Sequence, residues 1–193
     1  MSTTVNVILS PLEQNDREQF IKDNQRAFKF GATEEFGMRD DHFKEDGEII
    51  SRKTIEKSID EKTAETYRII LDHKKIGGIV IKIDKDNKKG ELVLFFVNPE
   101  NHSKGVGYSA WMTIEKMHPE IEIWETMTPY FEKRNIHFYV NKCGFHIVEF
   151  YHKFHPDPHK YDEDDDENKD NAKDKDDDED KGEMFRFQKI MKK

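Results

Sequence analysis

Phe95-Phe96-Val97-Asn98-Pro99-Glu100-Asn101-His102-Ser103-Lys104-Gly105-Val106-Gly107-Tyr108 is the stretch on which the reading of this chain turns. It begins inside Glu91 to Val97, where the apolar run Leu-Val-Leu-Phe-Phe-Val suits a central strand covered on both faces. Asn98 to Lys104 breaks that strand. Val106, Ala110, Ile114 and Met117 then recur at spacings of four, four and three, the stripe of an amphipathic helix. A glycine-bearing loop thus joins a buried strand to a helix. Glycines let the backbone turn tightly and let a ligand approach the N–H groups. The first amides of a helix lack intrahelical partners and sit at the positive end of its dipole, which makes a site for phosphate. An ordinary strand–turn–helix junction has the same outline, and Gly-x-Gly alone does not separate the two. The loop is not a P-loop, because no Gly-Lys-Ser/Thr follows a four-residue spacer. Nor is it a dinucleotide fingerprint, because Tyr108 and Trp111 stand where a third glycine is needed.

Outward from this stretch the chain alternates short strand and helix signals. Val5 to Leu9 alternates apolar and polar residues as a first strand, ended by Pro11. Asn15 or Asp16 is placed to cap a helix that buries Phe20, Ala27 and Phe28 and stops near Gly31. Gly37 to Glu56 reads as a polar loop leading to a second helix near Thr54 to Lys62. Thr66 to Leu71, Gly77 to Ile83 and Ile121 to Thr126 read as strands, with Ile79, Ile81 and Ile83 on one face. Thr128-Pro129 is a candidate N-cap and first helical residue, for a helix running to about Cys143 and stopped by Gly144. Phe145 to Tyr151 and Met184 to Met191 are the last strands.

The second informative stretch is Asn135-Ile136-His137-Phe138-Tyr139-Val140-Asn141-Lys142-Cys143-Gly144-Phe145. Asn135 and Tyr139 are four apart and share a helix face, so an amide and a phenol are aligned toward one side. Together with His102-Ser103-Lys104-Gly105-Val106-Gly107, these residues resemble the two motifs of the GNAT superfamily of acetyl-CoA-dependent N-acyltransferases. That superfamily carries Gln/Arg-x-x-Gly-x-Gly/Ala at the start of its central helix, and then an Asn, an aromatic-Tyr pair and Gly-Phe. The resemblance covers nearly the whole chain except Asp157 to Gly182. The one departure is His102 in place of Gln or Arg.

The resemblance implies an α/β fold: a mixed, mostly antiparallel, twisted sheet of about seven strands with about four helices, splayed at a cofactor cleft. It implies acetyl-CoA as co-substrate and an amine of a small molecule or protein as acceptor. Backbone groups of Phe96 and Val97 would hold the pantetheine arm. The loop His102, Ser103, Lys104, Gly105, Val106, Gly107 and Tyr108 would hold the pyrophosphate, and Asn135 and Tyr139 would contact the arm and its sulfur. Tyr139 is the expected general acid to the leaving thiolate, and the Val97 amide the expected oxyanion donor. Glu125, at a strand end, is the candidate base, directly or through water and in competition with Glu34 and Glu35, since an alkyl amine with a pKa near ~10 must lose a proton before attack. Glu34, Glu35 and Phe36 are the candidate acceptor wall, with the adjacent acids reading equally well as a solvated face. Dimers are common in the superfamily, so a homodimer is an expectation.

Charge and composition set the remaining bounds. The 193 residues carry a formal net charge of −9, and 38% are charged. Asp162 to Asp180 holds 13 acidic and 3 basic residues, so the rest of the chain, with 29 basic and 28 acidic side chains, is close to neutral. The expectation is one domain over residues 1–193, with a mobile acidic insertion at 157–182 between the last two strands. Nothing here points to nucleic acid or to a membrane: no apolar run approaches the ~18–20 residues that span a bilayer. The single cysteine, Cys143, excludes an internal disulfide and a multi-Cys zinc site, and a cytoplasmic setting is the default. His152, His155 and His159 match no metal-ligand spacing, and no metal is expected. Two other readings compete with an enzyme: a catalytically silent CoA-binding sensor, and an interaction protein acting through its acidic segment.

Overall fold

The computed structural model describes residues 5–35, 47–102, 104–158 and 183–192, and for Glu34 and Glu35 the backbone alone. Among the described residues, the strands are β1 (Ile8–Pro11), β2 (Ala64–Leu71), β3 (Lys74–Asp84), β4 (Lys89–Val97), β5 (Ile123–Pro129), β6 (His146–Tyr151) and β7 (Met184–Ile190). They form one sheet in the order β1-β2-β3-β4-β5-β7-β6. Every pairing is antiparallel except β4 with β5, which is parallel. The helices are α1 (Arg17–Phe30), α2 (Arg52–Asp60), α3 (Val106–Met117) and α4 (Lys133–His137), and α4 continues as a wider π-type coil over Phe138–Cys143. This is the mixed α/β sheet with about four helices that the resemblance implies. The acidic run and Phe36 lie outside the described residues.

Helices cover the sheet on both faces. On one, α1 and α2 bury Phe20, Ile21, Ala27 and Ile55 against Val80, Leu94 and Phe96. On the other, Trp111 and Ile114 of α3, with Tyr139 and Phe145, pack on Ile79, Ile81, Trp124 and Phe187. Gly78 permits the closest approach on the α1 side. A Cβ there would fall 2.3 Å from the Phe20 ring and 2.6 Å from that of Phe96. Without it, the two rings meet edge to face at 5.2 Å.

The irregularity that matters for function is in β4. Leu94 pairs with Val80 and Leu92 with Ile81, so Val93 is an extra residue, a β-bulge. The bulge shifts the inside–outside alternation. Leu92 packs on the α3 side; beyond the bulge Phe95 and Val97 take that side, while Leu94 and Phe96 turn to α1. The parallel pairing of β4 with β5 spans Lys89–Leu92 against Ile123–Thr126 and ends there. β5 continues alongside β7 as far as Pro129.

Four local expectations are corrected. The first strand is Ile8–Pro11 instead of beginning at Val5, because its ladder with β2 starts at Ile8, opposite Ile70. Asp16 precedes α1, but its side chain makes no capping bond and pairs with Arg68 and Lys75 instead. Gly31 does not stop α1. Its φ is −56°, its amide still donates to Ala27 and Phe28 carbonyls, and the chain runs on into a π-type turn over Gly31–Glu35. Thr128-Pro129 does not open a helix either. Both residues remain in β5, paired with Phe185 and Met184, and α4 begins after a turn at Lys133. The terminal position of a strand tolerates the missing proline N–H.

One buried ion cluster ties β2 to α1. Arg68 is 1% exposed. Its Nε donates to Asp16 Oδ2 and its Nη1 to Asp23 Oδ2, both at 2.8 Å, and its guanidinium lies 5.1 Å from the centre of the Phe20 ring. Burial alone would raise the Asp16 pKa; the bonds and charges of Arg68 and Lys75 outweigh it and hold the carboxyl below its ordinary value. Arg68→Leu takes the guanidinium from two carboxylates, leaving Asp16 with Lys75 alone, and should cost about 3–5 kcal/mol in urea unfolding. With a depressed folded pKa, wild-type stability should fall as pH drops below ~4, and that acid slope should shrink in the variant.

Candidate functional site: the cleft between the splayed strands

Where β4 leaves β5 the sheet opens, and a cleft of about 1030 Å³ lies in the gap. Asn98 donates its amide to the Ile76 carbonyl of β3, so Asn98 and Phe96 turn their backbone groups toward β3. By alternation Phe95 and Val97 present theirs to the gap. Phe95, Phe96 and Val97 all line the cleft; the backbones of Phe95 and Val97 face the opening, while that of Phe96 bonds to β3.

Beyond Val97 the chain makes a short 3-10 turn at Pro99–Asn101 and enters α3 through Gly105 at φ +76°. That left-handed conformation is where glycine carries no steric penalty. The first bond inside α3 runs from the Ser109 amide to the Gly105 carbonyl, at 3.0 Å. The amides of Val106, Gly107 and Tyr108 thus have no partner within the helix, at the positive end of its dipole. All three residues line the cleft, as do His102, Lys104 and Gly105. Ser103 lies outside the described residues.

His102 makes the most informative contacts of the loop. Its Nε2 is 2.8 Å from the Val97 carbonyl oxygen, and its Nδ1 is 2.9 Å from Nη1 of Arg134. A guanidinium only donates and a carbonyl only accepts. In this arrangement Nδ1 accepts from the guanidinium and Nε2 donates to the carbonyl. Arg134 lies outside both sequence motifs. Its one signal there is that it adjoins Asn135.

The floor of the cleft comes from α4 and its π-type extension. Asn135 donates its amide to the Glu132 carboxylate and lies 3.5 Å from the Thr128 hydroxyl. Tyr139, one turn on, is 7% exposed and rests against the rings of Phe138, Phe145 and Phe187. Burial pushes its phenol pKa well above the ordinary value; the Thr126 hydroxyl beside it opposes the shift only in part. Tyr139 is thus a protonated phenol at neutral pH, facing the gap that the bulge opens. Thr126 is anchored in turn by donating to the Leu92 carbonyl at 2.9 Å, at the last paired residue of β4.

The other candidates lie elsewhere. Glu125 does not line the cleft. In β5 it alternates with the buried Trp124 and Thr126, and its Oε1 accepts from Arg186 Nη1 and Gln188 Nε2, both at 3.0 Å. Arg186 also bridges to Glu149, whose pKa the bonds from His155, Arg186 and Tyr151 lower to about 2. Arg186 and Gln188 thus bond the Glu125 carboxylate from β7. Glu34 and Glu35 fall in the turn after α1, their side chains outside the described residues, as is Phe36. His152 and His155 form a tight bridge at the end of β6, and among the described residues no group of three side chains is arranged to hold a metal.

With this geometry in place, comparison with known proteins is informative. The family model for the Acetyltransferase (GNAT) family matches residues 22–145, from α1 through the Gly-Phe that follows Cys143. The chain belongs to the GNAT acetyltransferase family. This GNAT protein is 44% identical over 187 residues to the uncharacterised protein YrkN of Bacillus subtilis (strain 168), covering 97% of this chain and 95% of that one. Its fold is similar to that of an acetyltransferase from Thermus thermophilus, with a TM-score of 0.63 and 9% identity over 97% of this chain and 99% of the other. It is also similar to PaiA N-acetyltransferase from Thermoplasma acidophilum, solved in complex with coenzyme A, with a TM-score of 0.60 and 17% identity over 97% and 100% of the two chains. At these identities the structural likeness is one of fold.

Cys143 belongs to the packing of this site. It is 3% exposed, and burial pushes its thiol pKa up to about 12. The thiolate is the reactive form. Ellman's reagent should therefore leave the native protein unmodified over minutes at pH 8 and titrate one thiol on addition of denaturant.

Proposed function

We propose that this GNAT protein is an N-acetyltransferase that moves an acetyl group from acetyl-CoA to a primary amine by direct attack. The observation that carries the reading is the placement of Tyr139: a protonated, buried phenol at the floor of a gap whose rim holds the first amides of α3, which lack partners within the helix. Those amides suit the phosphates of an acyl-CoA, and the backbone of Phe95, which the splay leaves without a partner in β5, suits the amides of a pantetheine arm. The thioester supplies an activated acetyl carbonyl. The Val97 amide serves as the oxyanion donor, fixed in place by the β3–β4 ladder. Tyr139 delivers its proton to the departing sulfur, and the surrounding rings keep water from that transfer. The acceptor is a primary amine of a small molecule or a protein. A base reaching it through water, rather than Glu125 directly, removes its proton.

Thermal unfolding with acetyl-CoA, and with ATP as control, tests the cleft. At ~100 times the dissociation constant, binding adds about 2.7 kcal/mol, a rise of roughly 5–10 °C for a domain of this size. No rise at millimolar acetyl-CoA would overturn the reading. Thiol release with a panel of amines then tests turnover. Tyr139→Phe should lower kcat about tenfold or more while leaving acetyl-CoA affinity within twofold. Equal turnover by the two proteins would remove Tyr139 as the acid. Binding without turnover of any amine would favour a silent CoA sensor.

A further inference from the structure

On this reading of the cleft, we propose that Arg134 is the cation that grips a phosphate group of the coenzyme, and that His102 is the residue that positions it. The argument starts from the splay. Val97 turns its carbonyl toward a gap where β5 no longer runs, so the oxygen needs a donor from elsewhere. His102 provides it through Nε2 at 2.8 Å. Committing the ring hydrogen to Nε2 leaves Nδ1 bare, and that bare nitrogen accepts from Nη1 of Arg134 at 2.9 Å. The arginine is therefore linked to the sheet through the imidazole. The Phe30 ring, edge-on to the imidazole at 5.8 Å, holds its plane from the α1 side.

The bond to His102 narrows the choice of rotamers open to the long, exposed side chain of Arg134 on its five-residue helix. With it, the guanidinium is tethered to the loop that leads into α3, and both residues line the same cleft as the α3 amides. Lys104, the cation within the loop itself, is folded back onto the loop. Its Nζ donates to the Glu100 carbonyl at 2.9 Å and lies 3.3 Å from the Asn101 side-chain oxygen. The planar guanidinium matches phosphate geometry with paired N–H donors, where the α3 amides supply single ones. Arg134 is thereby a binding residue brought in from α4, 32 positions from the loop it serves, and His102 acts through it.

Calorimetric titration of the full chain with CoA, dephospho-CoA and pantetheine tests this. Wild-type binding of CoA is the check on the cleft reading itself, and its absence would overturn that reading and this proposal together. Given that binding, Arg134→Gln should weaken CoA about tenfold or more and pantetheine by less than twofold. His102→Leu should weaken CoA by a similar factor, and the double variant no further than either single one, because the two residues act as a unit. If the loss disappears with dephospho-CoA, the 3′-phosphate is the group held; if it persists, the pyrophosphate is. Either result supports the assignment. Unchanged CoA affinity in Arg134→Gln would overturn it, as would an equal loss for pantetheine, which would make the His102–Arg134 pair a structural clasp. Additive losses in the double variant would overturn the positioning role of His102. Should His102→Leu fail to fold, His102→Asn, smaller and polar, takes its place in the cycle.

Discussion

A single unmatched residue, Val93, governs this molecule. A strand that pairs on both edges cannot absorb an extra residue without losing register on one of them. Here β4 keeps its ladder with β3 and gives up its ladder with β5 after Leu92. The consequences follow from geometry. The alternation of β4 inverts, so Phe95 and Val97 join the α3 side while Leu94 and Phe96 join the α1 side, and both helical layers keep an apolar surface to pack on. The two strands then diverge, and the sheet opens at its centre. Thr126 marks the fork, its hydroxyl bonded across to the last paired residue of β4.

An open sheet leaves polar backbone without partners, and the way this protein disposes of those groups accounts for the site. The Val97 carbonyl is satisfied by His102. The first amides of α3 have no partner within the helix and line the cleft. Between these two sets of groups lies the face of α4 that carries Asn135 and Tyr139. The aromatic rings packed on Tyr139 keep its phenol protonated by withholding water from the charged form. Backbone at the rim, a neutral phenol at the floor and a cation at the side thus all trace to one break in strand pairing. The ion cluster of Arg68 with Asp16 and Asp23 stands at the opposite end of α1 and holds that helix on the sheet.

The features read correctly from the residues are those carried by a regular period or a stereochemical demand. The stripe of α3 fell on Val106–Met117, and Gly144 adopts φ +78° at the end of the helical run. The isoleucines of β3 alternate into one core. The misreadings occurred where long-range pairing competed with a local signal. Thr128-Pro129 has the sequence of a helix start, yet β7 pairs with both residues and keeps them in the strand. Asp16 has the sequence of a cap, yet a buried arginine 52 positions away is the stronger claimant on its carboxylate. The bonds of Glu125 to Arg186 and Gln188 of β7 are likewise long-range pairings that its strand position does not reveal.

What the sequence by itself determined is the set of elements, their order, and the two motifs that mark the family, because apolar period, glycine stereochemistry and helix-end chemistry act over a few neighbouring residues. The tertiary structure alone decided which strand edge opens, which backbone groups face the opening, which tautomer His102 adopts and which arginine it holds. Those outcomes depend on register between strands and on hydrogen bonds joining residues tens of positions apart. A register slip of one residue is invisible in local sequence, but it redirects every side chain and every carbonyl that follows.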